Sequence, residues 1–245
     1  MARFSEAKEI FRDTVDLKLY VPLSAIERTK KDLISAIEQK EKMIFVTGEA
    51  GSGKSMILKS VYNELKEHSN VFYISNPFLE INSILNILKK LTLEDYQLFL
   101  IDEAQLLSED TFENLRIYAD KGNITIVFAT HDTDIKKLLI KKHFQTRINY
   151  ILKVEKASRF EIENFIKTKL LKANLIDIAE MIKKRNYNLI YKYTQGSLRA
   201  TNQLMFKLFD ILDYFQKNHP NKISDTKLSN KYIEMAYMDI KEFHA

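Results

Sequence analysis

Gly48-Glu49-Ala50-Gly51-Ser52-Gly53-Lys54-Ser55 follows directly on the apolar run Met43-Ile44-Phe45-Val46-Thr47 and leads into a helical stretch from Met56 to Lys66. The whole chain holds five glycines, and three of them fall here. A strand, a glycine-rich turn and a helix in this order have a specific physical use. Glycine lets the backbone curl inward so that successive N–H groups face one point, and the helix adds its positive end there. Both features suit phosphate. At this spacing Lys54 can reach the β- and γ-phosphates of a nucleoside triphosphate, and the Ser55 hydroxyl can ligate Mg²⁺. The residues from Gly48 to Met56 are therefore expected to hold ATP. An accidental glycine turn is the competing reading, and the scarcity of glycine elsewhere argues against it.

A second run carries the partner of this loop. Tyr96-Gln97-Leu98-Phe99-Leu100-Ile101 is continuously apolar after its first residues and ends at Asp102-Glu103-Ala104. Parallel strands bring their carboxyl ends to one edge of a sheet, where the phosphate loop also lies. Asp102 can then serve the Mg²⁺, and Glu103 can orient the attacking water. Alone, an apolar strand ending in acids is commonplace; beside the loop it becomes specific. Ile124-Thr125-Ile126-Val127-Phe128-Ala129 ends at Thr130-His131-Asp132. Thr130, with His131 as second choice, is expected to sense the γ-phosphate from there. His131, Asp132 and Asp134 do not make a metal site, because no second histidine has ligand spacing.

Working outward, strands are expected at about 43–47, 71–75, 97–101, 124–129 and 150–154. Helices between them give a doubly wound α/β fold, a five-stranded parallel sheet with helices on both faces. A helix is expected over 80–91, another over 109–120 and a basic one over 135–142. Before the sheet, Ser24 starts a helix to about Gln39, and Phe4, Ile10 and Phe11 line a short one. Tyr20 and Val21 are adenine-pocket candidates, with core packing as the competing role. From Ser158 the pattern is purely helical: Ser158-Arg159-Phe160-Glu161 forms a capping box, and helices follow at about 159–173, 175–192, 197–217 and 225–242. The expected division is a nucleotide-binding domain with an N-terminal helical extension over 1–155 and a helical lid over 156–245.

Composition sets bounds on the rest. The chain has 245 residues and no cysteine, which excludes disulfides and thiolate metal sites and fits a reducing interior. No run of about 18 apolar residues occurs and the first residues do not read as a signal peptide, so a cytoplasmic protein without a membrane span is expected. The net charge of +5 is unevenly spread. Residues 1–152 carry 21 Lys+Arg against 22 Asp+Glu, whereas residues 153–245 carry 17 against 11. The basic C-terminal third is a possible footprint for DNA, with a solvated lysine-rich face as the competing reading.

GEAGSGKS (48–55), FLIDEAQLLSEDTFENLR (99–116), FQTRI (144–148) and QGSLRATNQL (195–204) together resemble the AAA+ ATPases. More narrowly, they are similar to the ExeA/GspA-type branch associated with bacterial secretion, pilus and DNA-uptake machines. The resemblance runs from about Lys42 to Leu212. It implies an ATP- and Mg²⁺-dependent ATPase that forms a homo-oligomer through a head-to-tail interface and works with a membrane-machine partner. Since the chain stops after the lid and one more helix, docking peripherally at the inner membrane through that partner is implied. The resemblance gives Lys54, Ser55, Asp102 and Glu103 the roles already described. Asn76 matches the polar residue that holds the glutamate off-line. Thr130 or His131 becomes the first sensor, where relatives usually carry Gly-Gln. Arg147 looks like the finger offered in trans, with Arg116 as rival, and Arg199 looks like a second sensor in the lid. A cation in the first turn of a helix is unfavourable for the dipole, which itself points to an anionic partner for Arg199. Two other functions keep the same fold: a DNA-binding regulator of the transposition-target, origin or helicase-loader type, and a nucleotide-gated scaffold with little turnover.

Overall fold

The computed structural model describes residues 3–12, 19–67, 70–79, 86, 88, 96–139, 150–224 and 226–243. The expected helix over 80–91 therefore lies largely outside the described residues, as does the FQTRI segment with Arg147. Contacts divide the chain into two units. One comprises Ala25–Glu49 and Gly53–Glu155; the other comprises Met1–Ser24, Ala50–Ser52 and Lys156–Ala245.

The first unit is built on the sheet. Its strands are β1 (Met43–Thr47), β2 (Asn70–Ile74), β3 (Gln97–Ile101), β4 (Ile124–Thr130) and β5 (Tyr150–Lys153), in spatial order β2-β3-β4-β1-β5. All pairings are parallel, with Phe45 opposite Phe128 and Phe99 opposite Ile126. Every residue of β1, β3 and β4 is buried, which is why these strands read as largely apolar runs, with Thr47, Gln97, Thr125 and Thr130 as buried polar exceptions. One face carries an aromatic cluster: Phe45 lies 5.1 Å from Phe128, and Phe112 lies 4.7 Å from Phe128. Such offset pairs add about 0.5–1.5 kcal/mol each beyond their burial. Ile44, Val46, Leu98 and Leu100 alternate to the opposite face and are as deeply buried. Among the described residues, the helices of this unit include Ser24–Glu38 (its first residue grouping with the other unit), Lys54–Leu65, Glu109–Lys121 and Asp132–Leu139. The last begins three residues earlier than the periodicity suggests, because Asp132 and Asp134 favour a first helical turn.

The second unit is helical. Phe4–Ile10 forms α1, as expected, with Phe4 and Phe11 buried and Ile10 half-buried. Phe4 and Phe11 stack on Phe209 at 6.3 and 5.7 Å, Lys8 pairs with Asp210 at 2.6 Å, and the Lys169 ammonium donates to the Ile10 carbonyl at 3.0 Å. The N-terminal extension thus groups with the C-terminal helices rather than with the sheet. Val21 is buried here, the packing role weighed against an adenine contact. The capping box at Ser158 and Glu161 is formed, and helices run over Arg159–Lys172, Ile176–Met181, Lys184–Thr194, Leu198–Asn218 and Asn230–Phe243. The single helix expected over 175–192 is two. The chain is extended at Ile182 and Lys183, and the fully buried Asn186 holds the break: its oxygen accepts from the Lys183 N–H, and its amide donates to the Leu228 carbonyl and to Asn230. The last helix starts at Asn230 rather than 225, after a short turn over Pro220–Lys222.

Candidate functional site

The loop from Gly48 to Ser55 closes as the sequence requires. Gly51 and Gly53 take φ of +75° and +107°, values that L side chains rarely adopt. At Gly51 space is also short, since an added Cβ would come within 2.4 Å of Ser197 Oγ. The loop tip groups with the helical unit, where the Leu198 N–H donates to the Gly51 carbonyl at 2.9 Å. Helix Lys54–Leu65 starts two residues earlier than expected, which puts Lys54 and Ser55 in its first turn. Lys54 is 8% exposed, and its ammonium donates to the carbonyls of Gly48 at 2.8 Å and Glu49 at 3.0 Å. A buried cation is costly unless hydrogen-bonded, and here the loop's own carbonyls hold it at the loop's centre. Ser52 is 2% exposed, and among the described residues its hydroxyl has no protein partner. Glu49 and Ala50 are exposed, and Met56 is half-buried.

Asp102 stands at the carboxyl end of β3 and is 5% exposed. Its backbone N–H donates to the Ile74 carbonyl at 2.9 Å. Its carboxylate accepts from the Tyr73 hydroxyl at 3.1 Å and from the Glu103 N–H at 3.0 Å, and the Ser55 hydroxyl lies near enough to favour its charged form. Burial is the largest influence and pushes its pKa up; those donors oppose it. The folded protein therefore binds this proton more tightly than the unfolded chain. Stability from this site is full below the unfolded pKa and is lost as pH rises through the folded value. Asp102→Asn should leave the nucleotide-free protein at neutral pH no less stable than wild type, and should flatten the fall in stability from acidic to neutral pH. Thermal unfolding across that range measures it; a variant clearly less stable at neutral pH contradicts the assignment.

Glu103 takes a left-handed backbone, φ +51° and ψ +41°, at the start of a short 3₁₀ turn over Ala104–Leu106. The turn brings the Gln105 amide back onto the Glu103 carboxylate, to which its Nε2 donates. His131 Nε2 stands 3.9 Å from the same carboxylate oxygen. Thr130 ends β4, 2% exposed, and among the described residues its hydroxyl has no partner. Asn76 lies just beyond β2, where its amide oxygen accepts from the Phe78 N–H at 3.1 Å. Sequence reasoning passed over Tyr73 and Gln105. Tyr73 is a hydroxyl-bearing residue one position before the end of β2, and Gln105 stood in plain view inside the DEAQ string.

Of the arginines, Arg147 lies outside the described residues. Arg116 is held on its own helix by Glu113 and Asp120, each at 2.5 Å. Arg199 is exposed in the first turn of helix Leu198–Asn218. Among the described residues no group of three His, Cys, Asp or Glu gathers to hold a metal ion. No helix of the described residues is long and apolar enough to cross a membrane.

The site fits a triphosphate with Mg²⁺: a buried ammonium and an unpartnered Ser52 hydroxyl lie along the loop, and Ser55 with Asp102 offers the oxygen donors a hard cation prefers. A family model described as Novel STAND NTPase 5 matches residues 8–142. No curated protein matches the chain. Among solved structures, the Thermotoga maritima RuvB Holliday junction branch migration motor is similar at 21% identity and a TM-score of 0.59, over 87% of this chain and 68% of that one. Cdc6p from Pyrobaculum aerophilum is similar at 16% identity and a TM-score of 0.61, over 87% and 66%. The Aeropyrum pernix ORC2 protein in ADPNP-ADP complexes is similar at 14% identity and a TM-score of 0.58, over 94% and 71%. At such identities the likeness is one of fold, and the fold is that of the AAA+ ATPases.

Proposed function

The chain belongs to the Novel STAND NTPase 5 family, and on that premise we propose that it binds ATP with Mg²⁺ and hydrolyses it as a self-assembling ATPase. The supporting observation is the Lys54, Ser55, Asp102 and Glu103 constellation, with Lys54 and Ser55 in the first turn of the helix after the loop and Asp102 buried at the carboxyl end of β3. Lys54 turns from the loop carbonyls to the β- and γ-phosphates. Ser55 and Asp102 would hold Mg²⁺, which would supply positive charge against the phosphates. Glu103 orients a water whose oxygen bonds to the γ-phosphorus as the bond to the bridging oxygen breaks, and takes up the water's proton. Thr130, or His131 beside it, reads the γ-phosphate. Arg199 does so from the helical lid, and Asn76 bears on Glu103. Phosphate release assayed with and without Mg²⁺ tests the reading.

Arg147 is the cation we assign to a neighbouring subunit's γ-phosphate, since Arg116 is committed to Glu113 and Asp120. A finger in trans requires a head-to-tail interface. Turnover per chain should then rise with protein concentration, and Arg147→Ala should abolish the rise. Turnover independent of concentration, unchanged in the variant, counts against it.

For the client, the ExeA/GspA resemblance supports a secretion, pilus or DNA-uptake machine reached through a protein partner at the cytoplasmic face of the inner membrane. Duplex DNA is the second reading. It is favoured by the basic excess of residues 153–245, 17 against 11, and by the RuvB likeness. Duplex binding with a steep salt dependence, strengthened by ATP, supports DNA; no binding at low salt removes it.

A further inference from the structure

We propose that Tyr73 is a positioning residue that makes the cation site selective for Mg²⁺ over Ca²⁺, an inference that rests on Ser55 and Asp102 being the protein's metal donors. Tyr73 pairs with Leu100 across β2 and β3, and Asp102 lies two residues beyond Leu100. Side chains two apart on a strand share a face, so Tyr73 and Asp102 rise from the same face of neighbouring strands. There the Tyr73 hydroxyl donates to Asp102 Oδ2 at 3.1 Å, while the Glu103 N–H donates to Oδ1 at 3.0 Å. The backbone is held as well, since the Asp102 N–H donates to the Ile74 carbonyl at 2.9 Å. A carboxylate with one partner can swing about its side-chain torsions; one held at both oxygens has lost that freedom. Each oxygen has a second lone pair, so both donors can stay while a cation is accepted.

The same tyrosine braces the element that carries the other donor. Tyr62 belongs to helix Lys54–Leu65, whose first turn holds Ser55, and its ring centroid lies 5.9 Å from that of Tyr73. One side chain thus packs on the helix bearing Ser55 and fixes the carboxylate of Asp102. Packing needs only the ring; the hydroxyl adds the directed bond. Which cation a rigid donor pair favours follows from coordination preference. Mg²⁺ demands near-octahedral geometry at about 2.0–2.1 Å, whereas Ca²⁺ accepts variable geometry at about 2.3–2.6 Å. Loosening the pair therefore weakens Mg²⁺ more than Ca²⁺. Groups that orient a metal's ligand without touching the metal are worth about 10–100-fold in metal affinity.

Tyr73→Phe keeps the ring against Tyr62 and removes the hydroxyl. Binding of a non-hydrolysable ATP analogue, followed by isothermal titration at a series of free Mg²⁺ or Ca²⁺ concentrations, reads the effect without turnover. The free Mg²⁺ needed for half-maximal tightening should rise about tenfold in the variant, and the free Ca²⁺ by no more than about twofold. Affinity for the analogue in EDTA should stay at the wild-type value. With Asp102→Asn already in place, Tyr73→Phe should alter the response to neither cation, because it acts through that carboxylate. An unchanged Mg²⁺ requirement, an equal rise for Ca²⁺, a loss of affinity in EDTA, or an effect that persists beside Asp102→Asn overturns the proposal. The two readings separate in the wild type. Tightening by Mg²⁺ there, with Tyr73→Phe unchanged, leaves the metal donors in place and removes only the role of Tyr73. Wild-type binding that no Mg²⁺ concentration tightens removes the donors, and the selectivity with them.

Discussion

Glu103→Gln is expected to slow ATP hydrolysis by about a thousandfold while leaving ATP affinity within a fewfold of wild type, in line with the roughly 10²–10⁴ that a positioned base contributes. The split follows from where the residue stands. Glu103 is half-buried beside His131 and Gln105 and, among the described residues, makes none of the hydrogen bonds that build the phosphate loop. The amide keeps the length of the side chain and can still exchange a hydrogen bond with Gln105, so the turn over Ala104–Leu106 should keep its shape. What is lost is the negative charge that draws a proton from water. Single-turnover phosphate release and equilibrium nucleotide binding, run on the same preparation, separate the two effects. Equal loss of binding and rate would mean that Glu103 belongs to the loop's architecture instead.

Lys54→Met is expected to lower ATP affinity by about a hundredfold and to take hydrolysis below detection, since charge-assisted hydrogen bonds to phosphate are about twice as strong as neutral ones. Methionine keeps most of the stem that packs in the buried position, so folding should survive. The nucleotide-free protein loses donors to the Gly48 and Glu49 carbonyls, at 2.8 and 3.0 Å in the wild type, and also loses a desolvated charge. These oppose each other, so its thermal stability should change little. Unchanged ATP affinity in a folded Lys54→Met protein would remove the loop from the nucleotide site.

The sheet was legible because burial on both faces leaves a plain signature. In β1, β3 and β4 every position is buried, and each reads as a mostly apolar run. The edge was less clear. Val154 reads as part of β5 but lies just past its end, buried and donating its N–H to the Thr47 carbonyl at 2.7 Å. The break at Ile182–Lys183 was hidden because Asn186 answers to Leu228 and Asn230, more than forty residues away. Local periodicity carries no trace of that. The same holds for α1, whose Phe4 and Phe11 are explained by Phe209. At the site, residue types and spacing pointed to Lys54, Ser55, Asp102 and Glu103. The Gln105 contact was not readable, because it exists only once Glu103 takes its left-handed turn.

The account rests on ATP and Mg²⁺ occupying the loop together. Isothermal titration of the wild-type chain with ATP, in the presence and absence of Mg²⁺, tests this most directly. The expected result is saturable binding of one nucleotide per chain, tightened by Mg²⁺ in the wild type and not in Asp102→Asn. Absence of saturable binding, or binding to which Mg²⁺ makes no difference, would contradict it.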